Sequence, residues 1–188
     1  MIKLTRHNWI AAGLDTLDQE GYAKVSSERI ARRLNVTRGS FYHHFRNRND
    51  FLEALLSAWE EDYNGRMLGY AAQGRTAGEV LRRYLRIAAE KEPQREIEIR
   101  AWALRDPVVA RFQERVDAAR LQFAIETAKR IAPKANHSEV IGKFAHMCLV
   151  GGQHSGIRHN IKAFNGLMES ALGLIHSVDK IRNYHKSV

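Results

Sequence analysis

Between Ser26 and His44 the chain sets two short helix signals on either side of a link of three or four residues. Ser26 precedes an apolar run at helical spacing, Ile30, Ala31 and Leu34. Asn35-Val36 follows, and Thr37 then stands where it can cap a further helix through about His44. Two helices this short and this tightly joined form a helix-turn-helix. The second helix of such a pair enters a major groove about 12 Å wide, leading with its N-terminal residues. Its free backbone N–H groups also suit phosphate.

The charge follows the same segment. Glu28 to Arg48 holds six arginines (Arg29, Arg32, Arg33, Arg38, Arg46, Arg48) against one acid. The 188-residue chain has a formal net charge of +9, and residues 1–50 carry nine Lys/Arg against five Asp/Glu. Such an excess favours an anionic partner, with nucleic acid first in line.

The rest reads as helices. Thr5 caps a first helix to about Glu20, with Trp9, Ile10, Leu14 and Leu17 on one face and Gly21 at its end. Asn47 with Asp50 resembles a capping box, opening a long helix through Leu52, Leu55, Leu56, Trp59, Tyr63 and Met67. Thr76 with Glu79 opens the next, and Pro93 interrupts it. Ile97, Ala101 and Leu104 mark the face of a short helix containing Trp102. Asp106-Pro107 starts a helix through Val109, Phe112, Val116 and Phe123. Asn136 with Glu139 opens another through Ile141 and Cys148, and Leu167 to Val178 forms the last. Period-2 alternation is nearly absent, so the class is all-α. The division expected is a three-helix DNA-binding domain over residues 1–48 and a larger helical domain over 49–188.

One cysteine, Cys148, excludes an internal disulfide framework and any Cys-rich zinc site. No stretch approaches the roughly 18 apolar residues of a membrane span. Met1 to Trp9 lacks the apolar core of a secretory signal. A cytoplasmic protein with no membrane partner is expected.

From Gly21 to Leu52 the sequence resembles the TetR (tetracycline-repressor-like) family of one-component bacterial regulators. The residues carrying the resemblance are Gly21, Ile30-Ala31, Asn35-Val36, Tyr42-His43-His44-Phe45, Arg48 and Asp50 to Leu52. Asn35 stands where the family usually has Gly, and Asn tolerates a left-handed backbone. Arg48 stands where Lys is usual. Glu98 to Arg120 also looks like the C-terminal region of one branch of the family.

The resemblance implies a ligand-responsive regulator, most simply a repressor, that binds a palindromic double-stranded operator as a homodimer. It places Ser26, Thr37, Tyr42, His43 and Arg48 at phosphates. Arg38, Ser40 and His44 fall where bases or phosphates are touched, and Gly39 lets the backbone come close. Arg38 is the first choice for a base, since a guanidinium pairs bidentately with guanine. Each has a plainer role open beside this one. Ser26 and Thr37 serve as caps, Tyr42 packs, and Arg32 and Arg33 form a solvated face.

The resemblance also implies a small-molecule effector, unidentified, and no other cofactor. Pocket candidates are Trp59, Tyr63, Tyr84, Arg100 and Trp102, then Phe112, Phe123, Phe144, His146, Met147 and Gln153. Aromatic and Met residues at helical spacing more often form plain core. Arg100, His146 and Gln153 say more, because a buried polar group needs a partner. A polar anchor would suit an acidic or hydrogen-bonding ligand. For the dimer interface, Gly142, Ala145, Leu149, Gly152 and Gly156 form a small-residue stripe, with Leu167, Ala171, Leu174 and Val178 beside it. The helix from Asp50 to about Gly69 joins the two parts and is expected to carry an effector-driven shift to the reading head.

Enzyme signatures are missing. His43-His44 are adjacent and His154 and His159 five apart, neither suited to one metal on one helix face. There is no His-Glu-x-x-His, and His137-Ser-Glu139 lacks a downstream Pro-Cys-x-x-Cys. Gly151 to Gly156 lacks the Lys-Ser/Thr of a phosphate loop, and Ser155 is not framed as Gly-x-Ser-x-Gly. Cys148 lies in an apolar run and reads as core. No metal site and no catalysis are expected.

Overall fold

The computed structural model describes residues 4–91, 93–131 and 138–155, with 160, 162, 163, 166, 167 and 170 beyond them. Every regular element among the described residues is helical. In order they are α1 (Arg6–Glu20), a 3₁₀ turn (Tyr22–Lys24), α2 (Ser27–Arg33), a 3₁₀ recognition segment (Arg38–His43) and α3 (Arg48–Glu60). A π turn (Glu61–Arg66), α4 (Met67–Ala72), α5 (Ala77–Glu90), α6 (Pro93–Ala103), α7 (Pro107–Ile131) and α8 (Ser138–His154) follow. The expected cap at Asn136, and Gly156, Ala171, Leu174 and Val178, lie outside the described residues. No described helix is long and apolar enough to cross a membrane.

Local chemistry sets the helix ends. Thr5 Oγ1 accepts from the Asn8 N–H at 3.4 Å, and Asn8 Oδ1 accepts from the Thr5 N–H at 2.8 Å, a reciprocal cap. Gly21 ends α1 at φ 85°, a backbone that a side chain would strain. Asn35 takes φ 54° in the turn after α2. The boxes at Asn47 and Thr76 are displaced by one residue. Each accepts from the N–H three residues on, but Asp50 and Glu79 reach back to the N–H of Arg46 and Arg75 instead. The long helix expected from Asn47 is likewise broken by the π turn, where Tyr63 is buried. π-helical turns often mark functional positions within helices.

Contacts group the chain into two compact units, residues 1–65 with 92–116, and residues 66–91 with 117–188. The first is built on an aromatic-rich core. Trp9, Phe41, Phe45, Phe51, Trp59 and Trp102 are all at most 4 % exposed. Here α1 and α3 lie so close that a Cβ on Gly13 would sit 2.6 Å from Leu55 Cδ1 and 2.8 Å from Phe51 Cζ. Helix α6 adds three polar clamps. Trp59 Nε1 donates to the buried Glu96 at 3.0 Å, the Tyr22 N–H donates to Glu98 at 2.9 Å, and Arg95 Nε donates to Asp18 at 2.9 Å.

These clamps explain a shift of face in α6. The buried positions are Glu96, Ile99 and Trp102, whereas Leu104 is 87 % exposed in the turn beyond the helix. The expected face of Ile97, Ala101 and Leu104 gives way to one of Glu96, Ile99 and Trp102, because a carboxylate occupies the core side and satisfies an indole N–H there.

In the second unit Met67, Ala71, Tyr84 and Leu149 form the buried cluster, with Phe123 and Cys148 packed on it. Helix α8 presses against α7 at Gly142, where a Cβ would meet the Ile125 Cα at 2.5 Å and its N at 2.7 Å. Backbone cannot yield there as a side-chain tip would. Gly142→Ala is therefore expected to destabilise the protein by roughly 1–3 kcal/mol, the usual cost of forced overpacking. Urea denaturation checks this, and a midpoint equal to wild type would mean that the contact is slack.

Candidate nucleic-acid interface

The recognition segment is the piece of the helix-turn-helix least able to fold by itself. It has six residues, among them Gly39 and Ser40, and it winds as 3₁₀ where an α-helix through His44 was expected. Thr37 precedes it in extended backbone but makes no side-chain cap bond. The segment is held by Phe41, 2 % exposed, whose ring lies 5.5 Å from Trp9, 5.1 Å from Phe45 and 5.6 Å from Phe51. Once Phe41 is anchored inward, Arg38, Gly39, Tyr42 and His43 face solvent. Ser40 and His44 are half-buried, and the His44 ring leans on Trp9 at 6.3 Å.

Four of the nine expected DNA-contacting residues meet at one place. Ser26, Arg38, Tyr42 and Arg48 line a single cleft of about 200 Å³, floored by Phe41, Leu52 and Trp102. Ser26 is also a cap, accepting from the Arg29 N–H at 3.2 Å, so its two roles coexist. Gly39 is not required by the fold. A Cβ there would have only Thr37 Oγ1, at 3.7 Å, within reach. Its smallness therefore faces outward.

The arginines separate into two kinds. Arg29 pairs with Glu20, Arg33 with Glu20 at 3.7 Å and Arg32 with Glu28 at 3.2 Å. Arg46 pairs with Asp50 at 3.7 Å, and Arg48 with Asp106 at 3.5 Å while lying 5.9 Å from the Trp102 ring. Arg38 alone of the six makes no ion pair among the described residues. The backbone N–H of Arg46, followed by the charge of Arg6, holds the Asp50 carboxyl below the usual carboxylate range. Asp50 thereby fixes the corner between the recognition segment and α3. The sequence reading missed Asp106 as a partner of Arg48; 58 residues separate the two, and no local pattern joins them.

The expected pocket residues do not form one group. Trp59, Tyr63, Trp102 and Phe112 are core of the first unit. Tyr84, Phe123 and His146 come together in the second, around a cavity of about 50 Å³ also lined by Ala145 and Leu149. Arg100 and Gln153 are half-buried outside that lining, and Phe144 and Met147 are exposed. Of the small-residue stripe, Gly142, Leu149 and Gly152 are buried within the single chain, and Gly142 meets α7. The apolar side chains that α8 shows to solvent are Val140, Phe144 and Met147, at i, i+4 and i+7, and Leu167 beyond it is 45 % exposed.

Comparison with known proteins locates one family match, and it falls on the helix-turn-helix. Residues 10–55 match the model of the bacterial regulatory proteins of the tetR family. The transcriptional regulator AcuR of Cereibacter sphaeroides is 41 % identical over 68 residues, 36 % of this chain and 31 % of that protein. The class A tetracycline repressor of transposon 1721 from Escherichia coli is 30 % identical over 105 residues, 50 % of this chain and 49 % of that protein. The matches thus span less than half the length of these relatives. In structure, SCO4454, a TetR-family transcriptional regulator from Streptomyces coelicolor, superposes with a TM-score of 0.76 at 16 % identity, over 93 % of this chain and 95 % of that one. Residues 10–55 thus resemble the helix-turn-helix of the tetR family of bacterial regulatory proteins, and the chain shares its fold with SCO4454.

Proposed function

We propose that the protein is a ligand-responsive repressor, acting in the cytoplasm without enzymatic activity of its own, that holds a palindromic operator as a homodimer. The functional division is the one expected from sequence: residues 1–48 read DNA, and residues 49–188 dimerise and sense. The observation that carries the DNA reading is Arg38, exposed and outside every ion pair of a stretch whose other arginines are paired. A guanidinium kept clear of internal partners is ready for a base edge. Ser26, Tyr42 and Arg48 beside it suit the phosphates that flank that base.

Two heads are needed, since one module of this size buries too little for tight binding at physiological salt. The face of α8 bearing Val140, Phe144 and Met147 suits the dimer contact, because exposed apolar side chains at helical spacing seek a partner surface. This replaces the small-residue stripe as the contact face on that helix. Repression follows as the simpler outcome, since a bound dimer occludes its site.

Release follows from linkage. An effector that favours one spacing of the two heads lowers DNA affinity, and DNA lowers effector affinity by the same factor. The π turn at Glu61–Arg66 interrupts the helix expected to carry the shift, and a π turn is a natural place for a helix to change direction.

Sites selected from random DNA, followed by a gel shift of the palindrome beside scrambled sequence across salt concentrations, test the reading. Equal affinity for both sequences would refute it. Arg38→Ala is expected to cost roughly 1–3 kcal/mol on the selected site and to relax preference at one base position. Arg48→Ala is expected to weaken all sequences about equally and to lower the salt slope by about one phosphate contact. Sedimentation at micromolar concentration is expected to give a dimer, and a species near 21.5 kDa would refute the assembly.

A further inference from the structure

Arg48 has a partner from beyond residues 1–48. Its Nη1 donates to Oδ2 of Asp106 at 3.5 Å, and its guanidinium lies 5.9 Å from the centre of the Trp102 ring. Both contacts sit at the weak end of their kind. A charge-assisted bond from N–H to carboxylate is normally about 2.7–2.9 Å, and a cation–π contact fades beyond about 6 Å from the ring centre. The same protein builds firmer forks elsewhere. Arg115 holds Glu60 with two bonds, from Nε at 3.0 Å and from Nη2 at 2.6 Å.

The two partners are unequally fixed. The Asp106 side chain is 17 % exposed, that of Arg48 60 %. Asp106 also caps α7: its Oδ1 accepts from the Val108 N–H at 3.0 Å, and its carbonyl accepts from the Ala110 N–H at 3.0 Å. That leaves Oδ2 for Arg48. The guanidinium is therefore the member able to leave. Arg48 and Trp102 line the cleft that also holds Ser26, Arg38 and Tyr42, whereas Asp106 is outside that lining. A guanidinium that turned from Asp106 to a phosphate would exchange one long bond for two parallel ones, since its planar fork matches a phosphate bidentately.

Resting on the reading of this cleft as a DNA surface, we propose that Asp106 sets DNA affinity: it holds the Arg48 guanidinium in the free protein and competes with a DNA phosphate for it. The looseness of the pair favours exchange over sharing. Were Asp106 instead to steady Arg48 while the other edge of the guanidinium took the phosphate, its loss would weaken binding, so the two arrangements differ in sign. A phosphate contact carries no sequence information. The competition therefore lowers affinity for every duplex alike.

Fluorescence anisotropy titration of the full chain with the selected palindrome and with scrambled duplex, at one salt concentration, tests the proposal. Asp106→Asn removes the charge and keeps an oxygen for the Val108 N–H. It is expected to tighten both duplexes about twofold to fivefold, the range open to an exposed ion pair. A damaged helix end, or a lost support for Arg48, would weaken binding instead. In an Arg48→Ala background the same substitution is expected to leave both affinities unchanged. Asp106→Ser also caps a helix without charge, and it decides should Asp106→Asn lose the far-ultraviolet dichroism of the folded protein. Weaker binding or unchanged binding in the folded variant would overturn the proposal. So would a gain that persists without Arg48, which would mean that the carboxylate repels DNA directly. Equal affinity of the wild type for palindrome and scrambled duplex would defeat the operator reading and leave a gain in Asp106→Asn standing. A sequence preference without that gain would do the reverse.

Discussion

The helix-turn-helix depends on the burial of one ring. The recognition segment is too short and too rich in small residues to hold a helix by backbone hydrogen bonds alone. Phe41 pins it among Trp9, Phe45 and Phe51. Burial of such a ring contributes about 1.5–3 kcal/mol, and its edge-on contacts add direction to that burial. The side chains on either side of Phe41 are thereby turned outward as a set. Arg38, Gly39, Tyr42 and His43 are presented together because Phe41 is not.

Around that anchor most of the positive charge is structural. The density of arginine between Glu28 and Arg48 pointed to nucleic acid, but the structure assigns five of its six arginines to carboxylates. Surface pairs of this kind contribute little stability. Their effect is to aim side chains and to leave Arg38 apart. The sequence pattern located the helix-turn-helix, its caps at Ser26 and Asn47 and its left-handed Asn35, because each is decided within a few residues. The partner of Arg48 was not legible, since Asp106 comes from the start of α7.

Helix faces were legible only where hydropathy decides them. On α3, Leu52, Leu55, Leu56 and Trp59 all point inward as their spacing implied. On α6 the buried Glu96 broke the rule, and a different face, with Ile99 and Trp102, turned inward. On α8 both sides are uncharged enough to pass for an interface. Small size at Gly142 and Gly152 indicates close approach but does not say to what. For Gly142 the answer, the backbone of Ile125, depends on the path of α7, which no periodicity encodes. The pocket candidates divided for the same reason: aromatic residues of two separate cores look alike along a chain.

The first unit is assembled from two stretches of chain that are not neighbours in sequence. Ile99, Trp102, Val109, Phe112 and Val116 complete the core on which α1 and α3 rest. The helix-turn-helix part is thus not a detachable cassette. A recombination event that joined residues 1–65 to a foreign sensing domain would leave Trp59 without its carboxylate and Tyr22 without the ring it stacks on. New specificities on this scaffold therefore arise more readily by changing side chains in place than by shuffling whole domains. An engineer building chimeras from it would have to carry the segment 92–116 along with the head.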